Sequence, residues 1–421
     1  MIRASLTIIA GRLLAGAANL TVVAWLTQLL SQGDLGRYGA ILALASAGSV
    51  FADMGQRIYL TRTLPLVRDP WPLVRRSLTG VVGVASVLGL LWMGLGSSLD
   101  GLAHAAIGSA LLGLLGLNLA LVGALAGTGR VVWGGLAHVA FRPLGLLLVL
   151  WLVSQWSPID VTTALLAQLG AIALSVFIAA HALRWARQSP LPPTSTPPAP
   201  WLSTSLPLMI LGGLGVLSFQ VDVLIVRWVD SPEGAGIYFN ATALAVVPSY
   251  ALGAANSVIM PQVSRAWAEQ RLADVHVVLG KSLRLALIGW APAVVGVVTV
   301  FQLGVDLGWT FAEGLPILIV LLVGQSINVW CGSVGATLLM SGHERLVATT
   351  YAGTLLLNVA ISIVLVPLVG PVGAAIGTAS AVSAWNLWLV ATLRARVGVD
   401  TSIARHLWPL PISAPSPNRS S

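Results

Sequence analysis

Cysteine is almost missing from this chain: Cys331 is the only one in 421 residues. That excludes an intrachain disulfide and a cysteine-rich metal site. Charge is nearly as scarce, at 9% of residues against roughly 25% in soluble domains, so there is too little polar surface to wrap a water-soluble globule. Catalytic signatures are also lacking. No HExxH, no Cys/His cluster and no carboxylate dyad on an outer loop appears, and His104, His138 and His181 stand alone near the ends of apolar runs, as interfacial residues. No metal and no cofactor is expected. The alternation of a membrane barrel strand is missing too, and the connecting loops are too short for a soluble catalytic domain. Together these gaps argue against an enzyme.

What remains is apolar. Hydrophobic residues make up 57% of the chain and the mean hydropathy is +0.89. Crossing the hydrocarbon layer takes about 20 mostly apolar residues, and polar punctuation divides the sequence into twelve such runs: 5–30, 37–61, 73–97, 102–127, 131–154, 161–184, 202–229, 236–260, 278–300, 314–340, 346–368 and 371–393. Lipid offers the backbone no hydrogen-bond partner, so each run must be helical. The expected fold is an all-α membrane protein of about twelve transmembrane helices. The first run is longer than a signal-peptide core and contains Arg12, and is read as a retained helix.

Arginine placement supports the same count. With the N-terminus inside, 17 of the 22 basic residues fall on cytoplasmic turns, and only Arg37 falls outside. Short cytoplasmic loops collect Arg and Lys in this way. Both termini are therefore expected in the cytoplasm. The basic residues are dispersed, which fits topology and contact with anionic membrane lipids rather than nucleic acid.

The chain is also written twice. SQGDLGRYGA places Gly36 and Tyr38 just after the first run, and SPEGAGIYFNA places Gly236 and Tyr238 after the seventh. The proline-rich segment 188–201 separates an N-terminal lobe, 1–187, from a C-terminal lobe, 202–396. Six spans in each half give both the same orientation, a parallel repeat about an axis along the membrane normal. Residues 261–284 read as an interfacial helix, and 397–421 as a short disordered tail.

Six ionisable residues lie inside the runs: Arg12, Asp53, Arg57, Arg142, Asp222 and Arg227. Each costs roughly 3 kcal/mol at the bilayer centre and asks for a role or a partner. Arg142, counted from Val131 at 1.5 Å per residue, lies roughly 16 Å deep. With Pro143 behind it, it either holds an anion or satisfies a freed carbonyl or carboxylate. Arg12 shares a helical stripe with Asn19, which points the stripe at protein or water. Asp53 and Arg57 have the i, i+4 spacing of a pair on one helix. Arg227 is close enough to the surface to snorkel. Asp222 pairs with an arginine, carries a coupling proton, or stays protonated in a dry site.

The order of LLSQGDLGRYGAILA, FADMGQRIYLTR, FQVDVLIVRWVDSPEGAGIYFNATAL and LVPLVGPVGAAIGTASAVSAWN resembles the polysaccharide flippases, the Wzx-like O-antigen translocases of the multidrug/oligosaccharidyl-lipid/polysaccharide exporter superfamily. The resemblance spans all twelve runs. It implies two six-helix lobes around a central cavity in a bacterial inner membrane. It also implies a polyprenyl-diphosphate-linked glycan as cargo, and polysaccharide polymerase and glycosyltransferases as partners. It carries a cavity role to Arg12, Asn19, Asp53 and Asp222. Four arginines against two aspartates leave the buried charge at +2, which suits a diphosphate. Arg12, Asn19 and Arg142 are thus the expected substrate contacts, Asp53 and Asp222 the cavity or ion-coupling acids, and Arg57 and Arg227 structural charges. A multidrug exporter of the same superfamily, a multispan glycosyltransferase or ligase, and a non-transporting scaffold of polysaccharide assembly are the competing readings.

Overall fold

The computed structural model describes residues 2–67, 69–130, 133, 136, 140–186, 201–306 and 312–407. Most of the proline-rich linker, His138 and the stretch beyond 407 lie outside the described residues. The helices of the first half are α1 (Ile2–Leu29), α2 (Gln32–Asp53), α3 (Gln56–Thr63), α4 (Trp71–Asp100), α5 (Leu102–Gly127), α6 (Phe141–Ser154) and α7 (Val161–Ala186). Those of the second are α8 (Trp201–Val229), α9 (Pro232–Ala245), α10 (Ser249–Ala268), α11 (Leu272–Asp306), α12 (Leu315–Cys331), α13 (Val334–Met340), α14 (Glu344–Val369) and α15 (Pro371–Val397). A short α16 (Ile403–Leu407) follows.

Seven described helices are long and apolar enough to cross a membrane alone, and α12 with α13, bent by 44°, makes an eighth. With α1, α6, α8 and the α9/α10 pair, the bundle has the expected twelve spans in two lobes. Its outer faces are apolar: Leu90, Leu91 and Leu95 on α4, Ile288 and Val295 on α11, and Leu356 and Leu368 on α14 are all exposed. Such a belt suits lipid and not water.

The repeated turn has a local physical reason. Ser31 caps α2 by accepting the N–H of Asp34 (3.1 Å), and Ser231 caps α9 by accepting that of Gly234 (2.9 Å). Each cap satisfies an orphan donor at a helix start and aims the following Gly-x-Tyr at the other lobe. There α2 crosses α9 at Gly36 and Gly236. A Cβ on Gly36 would collide with the carbonyl oxygen of Pro232, and one on Gly236 with that of Gln32. Only glycine permits backbones to approach so closely in a helix crossing. Asn240 Nδ2 donates to Thr27 Oγ1 across the same junction at 3.1 Å. Towards the other end, Gly55 lies against Ser205 and Met209 of α8. The lobes therefore touch near both ends of α2.

Four expectations need correction. The second span is not one helix: Met54 (φ 50°) and Gly55 (φ 74°) break it, so Asp53 and Arg57 do not share a helix surface. Instead the Asp53 carboxylate accepts the backbone N–H of Arg57 at 3.2 and 3.3 Å, capping α3. In the fifth span a continuous described helix starts at Phe141; Trp133 and Leu136 before it are helical too, and most of 131–139 lies outside the described residues. Arg142 sits in the first turn of α6, where Pro143 costs no helical hydrogen bond. No separate interfacial helix covers 261–284: α10 runs to Ala268 and α11 starts at Leu272, with Val263 and Val275 buried in the lobe.

The tail, finally, is ordered as far as it is described. Val399 and Thr401 are buried, Arg394 pairs with Asp400 at 2.5 Å, and Thr401 Oγ1 donates to the Cys331 carbonyl at 2.6 Å. That bond seals the carbonyl left open where α12 ends before the bend. Thr401→Val will leave it unmet, and a thermal melt of the purified chain in detergent should show a loss of about 1–2 kcal/mol.

Candidate functional site

Two of the polar cavities among the described residues lie by opposite charges, Arg142 and Asp222. The first lies between the lobes and measures about 80 Å³, lined among others by Asn19, Tyr38, Arg142, Gln168 and, from the opposite lobe, Phe239. Tyr38 is buried and donates to Gln168 Oε1 at 3.1 Å. Its ring meets Phe239 edge-on, with centroids 6.0 Å apart. Arg142 lines this cavity from the first turn of α6, within electrostatic range of Tyr38 and Tyr250. Asn19 hydrogen-bonds Tyr250 and remains accessible within the cavity. No salt bridge to Arg142 occurs among the described residues. A guanidinium with no carboxylate partner among the described residues can accept an anion.

The second cavity is inside the C-terminal lobe. It measures about 60 Å³, and Gln325, Asn328, Asn358 and Thr378 are among the residues that line it. Asp222 lies beside it, 1% exposed. Its Oδ2 accepts from Thr378 Oγ1 at 2.5 Å and from the Tyr238 hydroxyl at 3.2 Å, and its Oδ1 accepts from Asn358 Nδ2 at 2.9 Å. Ser362 donates in turn to Asn358. No arginine pairs with Asp222 among the described residues. Three neutral donors compensate a buried carboxylate in the arginine's place.

The two sites are related by the repeat. Tyr38 and Tyr238 occupy equivalent positions, and their partners do as well, since Gln168 is the eighth residue of α7 and Thr378 the eighth of α15. The repeat has therefore diverged into a basic copy and an acidic copy.

The structure thus brings Asn19 and Arg142 together. It places Asp222 beside a separate cavity, bonded to its lining residues Asn358 and Thr378, and Asp53 and Arg57 on the wall of a third one between α2, α3 and α8. Arg227 is half-buried near the end of α8. Arg12 belongs to α1, and its side chain lies outside the described residues. Sequence reasoning passed over Tyr38, Gln168, Tyr250, Asn358 and Thr378. All are neutral, yet a buried amide or phenol also needs a partner, so Gln168 and Asn358 in otherwise apolar runs were a usable signal.

No protein-family model matches the chain, and no curated protein matches it in sequence. Solved structures do. A multidrug resistance MATE family transporter of the MOP superfamily aligns in its inward-facing conformation with a TM-score of 0.60 and 14% identity, over 94% of this chain and 95% of that one. The outward-facing conformation of such a transporter gives 0.60 and 15%, over 94% and 95%. The fold is the MATE transporter fold. A third match is a MOP superfamily transporter from Pyrococcus furiosus, for which a binding pocket of reverse polarity suggests a different function, with a TM-score of 0.61 and 16% identity over 94% and 95%. Within the MATE fold, the Arg142 cavity lies at the seam between lobes and the Asp222 cavity within one lobe.

Proposed function

We propose that this chain is a flippase that moves an anionic, polyprenyl-diphosphate-linked oligosaccharide from the cytoplasmic to the outer leaflet for cell-surface polysaccharide synthesis. It would do so without a cofactor, in a bacterial inner membrane, with both termini in the cytoplasm and the lobes 1–187 and 202–396 joined by the 188–201 linker. Polysaccharide polymerase and glycosyltransferases would be its neighbours in the pathway.

The observation that carries this reading is Arg142. A cation at the seam with no carboxylate partner among the described residues attracts a diphosphate, and Tyr38, Tyr250, Asn19 and Gln168 are available to hydrogen-bond phosphate or sugar oxygens. Arg12, on the same helix as Asn19, is the other proposed cargo contact. About 80 Å³ holds only a few waters at roughly 30 Å³ each, so cargo enters only when the lobes part, as in alternating access. The lipid tail stays in the bilayer. Asp53 and Asp222 are then the candidates for coupling to an ion, Asp222 through the hydrogen bonds that already enclose its carboxylate.

The second reading, export of cationic drugs, draws on the multidrug transporters that share the fold. It makes Asp222 the cargo residue. The deciding experiment measures the leaflet distribution of lipid-linked oligosaccharide in a host lacking this protein, with and without restoration. Inner-leaflet accumulation relieved by restoration supports the flippase, whereas an undisturbed distribution rejects it in favour of drug export or a scaffold.

A further inference from the structure

A wide groove belongs to neither cavity. It opens at the basic end of the N-terminal lobe, between the start of α4 and the end of α7, with a volume near 1060 Å³. Arg75, Arg76 and Arg184 line its rim, and Val74, Leu78, Leu121 and Leu183 form its apolar wall. Among the described residues Asp69 is its one acid, and that carboxylate accepts the backbone N–H of Trp71 at 3.2 Å. Arg75 and Arg184 form no salt bridge among the described residues. Both are exposed.

The C-terminal lobe provides an internal control. Its groove at the same end, lined by Arg265, Arg271 and Asp274, measures about 330 Å³. There Arg271 is bridged by Glu269 and, at 3.1 Å, by Asp274. That groove neutralises itself. The N-terminal one does not, and it is three times larger.

Cationic rims over an apolar wall at headgroup depth match one chemistry, a phosphodiester with acyl chains attached. Trp71 in the groove and the exposed Trp185 beside it add the aromatic residues that mark the membrane interface. We infer that this groove is a binding site for an anionic glycerophospholipid of the basic-side leaflet. The phosphodiester lies between Arg75 and Arg184, and an acyl chain runs along Leu78 and Leu121 towards the exposed apolar face of α4. The site is remote from the seam and does not depend on the cargo.

Native mass spectrometry of the purified full-length chain tests this with phosphatidylglycerol and phosphatidylcholine as probes. One phosphatidylglycerol should bind at least about tenfold more tightly than phosphatidylcholine. The double variant Arg75→Gln/Arg184→Gln should lose about thirtyfold in affinity, from two arginines near a membrane surface, with its melting temperature in lipid-free detergent unchanged. Arg265→Gln should lose nothing. Equal affinity for both lipids, or a double variant that binds like the parent, overturns the assignment. So does phosphatidylglycerol binding that appears only after the 188–201 segment is cut, because the chain itself would then fill the groove. Competition by inorganic phosphate as effective as that by the lipid also overturns it, since the apolar wall would contribute nothing.

Discussion

Joining positions 27 and 240 with a short bifunctional thiol reagent, in a Thr27→Cys/Asn240→Cys variant, is expected to stop transport almost completely, and reduction is expected to restore it. The parent residues are already in contact, Asn240 Nδ2 lying 3.1 Å from Thr27 Oγ1, so a short link demands little rearrangement. Around them the lobes meet backbone to backbone at Gly36 and Gly236. A crossing this tight cannot slide, because a packed interface has few intermediate arrangements between closed and parted. The chain suits the experiment, since it has a single native cysteine, Cys331, which a Cys331→Ser background removes. Reading the result needs transport assayed before linking, after linking and after reduction. Transport that continues at the parent rate in the linked protein would mean that the lobes do not separate at this crossing, and alternating access would have to be abandoned.

The crossing also shows what the sequence revealed and what it withheld. Span count, helical class and the twofold repeat follow from apolar runs, arginine placement and the recurrence of Gly36-x-Tyr38 as Gly236-x-Tyr238. These are one-dimensional signals, imposed by lipid on any segment that crosses it. Breaks inside spans leave a weaker trace. Met54 adopts a left-handed conformation (φ 50°) although nothing in its residue type asks for it, and the break comes from Gly55 beside it and from the Asp53 cap. The i, i+4 rule placed Asp53 and Arg57 on one surface by assuming a helix that ends between them. The tail erred in the opposite direction. Its composition reads as unstructured, yet Thr401 closes an open carbonyl at Cys331, a need created only by the bend of another span. For the site, charge made Arg142 and Asp222 conspicuous, but which neutral groups meet them depends on how helices 100 or more residues apart in sequence pack. Asp222 binds Asn358 and Thr378, and Tyr38 binds Gln168. A single sequence does not carry that pairing.

Arg142→Gln should reduce transport more than any other single replacement at the seam, while leaving the protein folded. The two halves of that statement have one cause. Because Arg142 forms no salt bridge among the described residues, removing its charge orphans no buried acid, and the usual penalty of breaking a buried pair does not arise. The hydrogen bonds around the cavity, Tyr38 to Gln168 and Asn19 with Tyr250, do not pass through Arg142, so the replacement leaves them in place. What disappears is the charge available to a diphosphate. A charge-assisted hydrogen bond is worth about 1.5–3 kcal/mol, or roughly ten- to more than a hundredfold in affinity. Arg142→Lys should recover part of the loss, since it returns the charge without the planar fork. Asp222 makes the opposite case. Its replacement leaves three buried donors, on Tyr238, Asn358 and Thr378, short of their acceptor, so an Asp222 variant mixes folding defects with functional ones. The measurement is therefore flipping per folded molecule, with expression and melting temperature recorded for each variant. Full activity in Arg142→Gln would remove the anion receptor from the mechanism and turn attention to the acidic copy of the repeat.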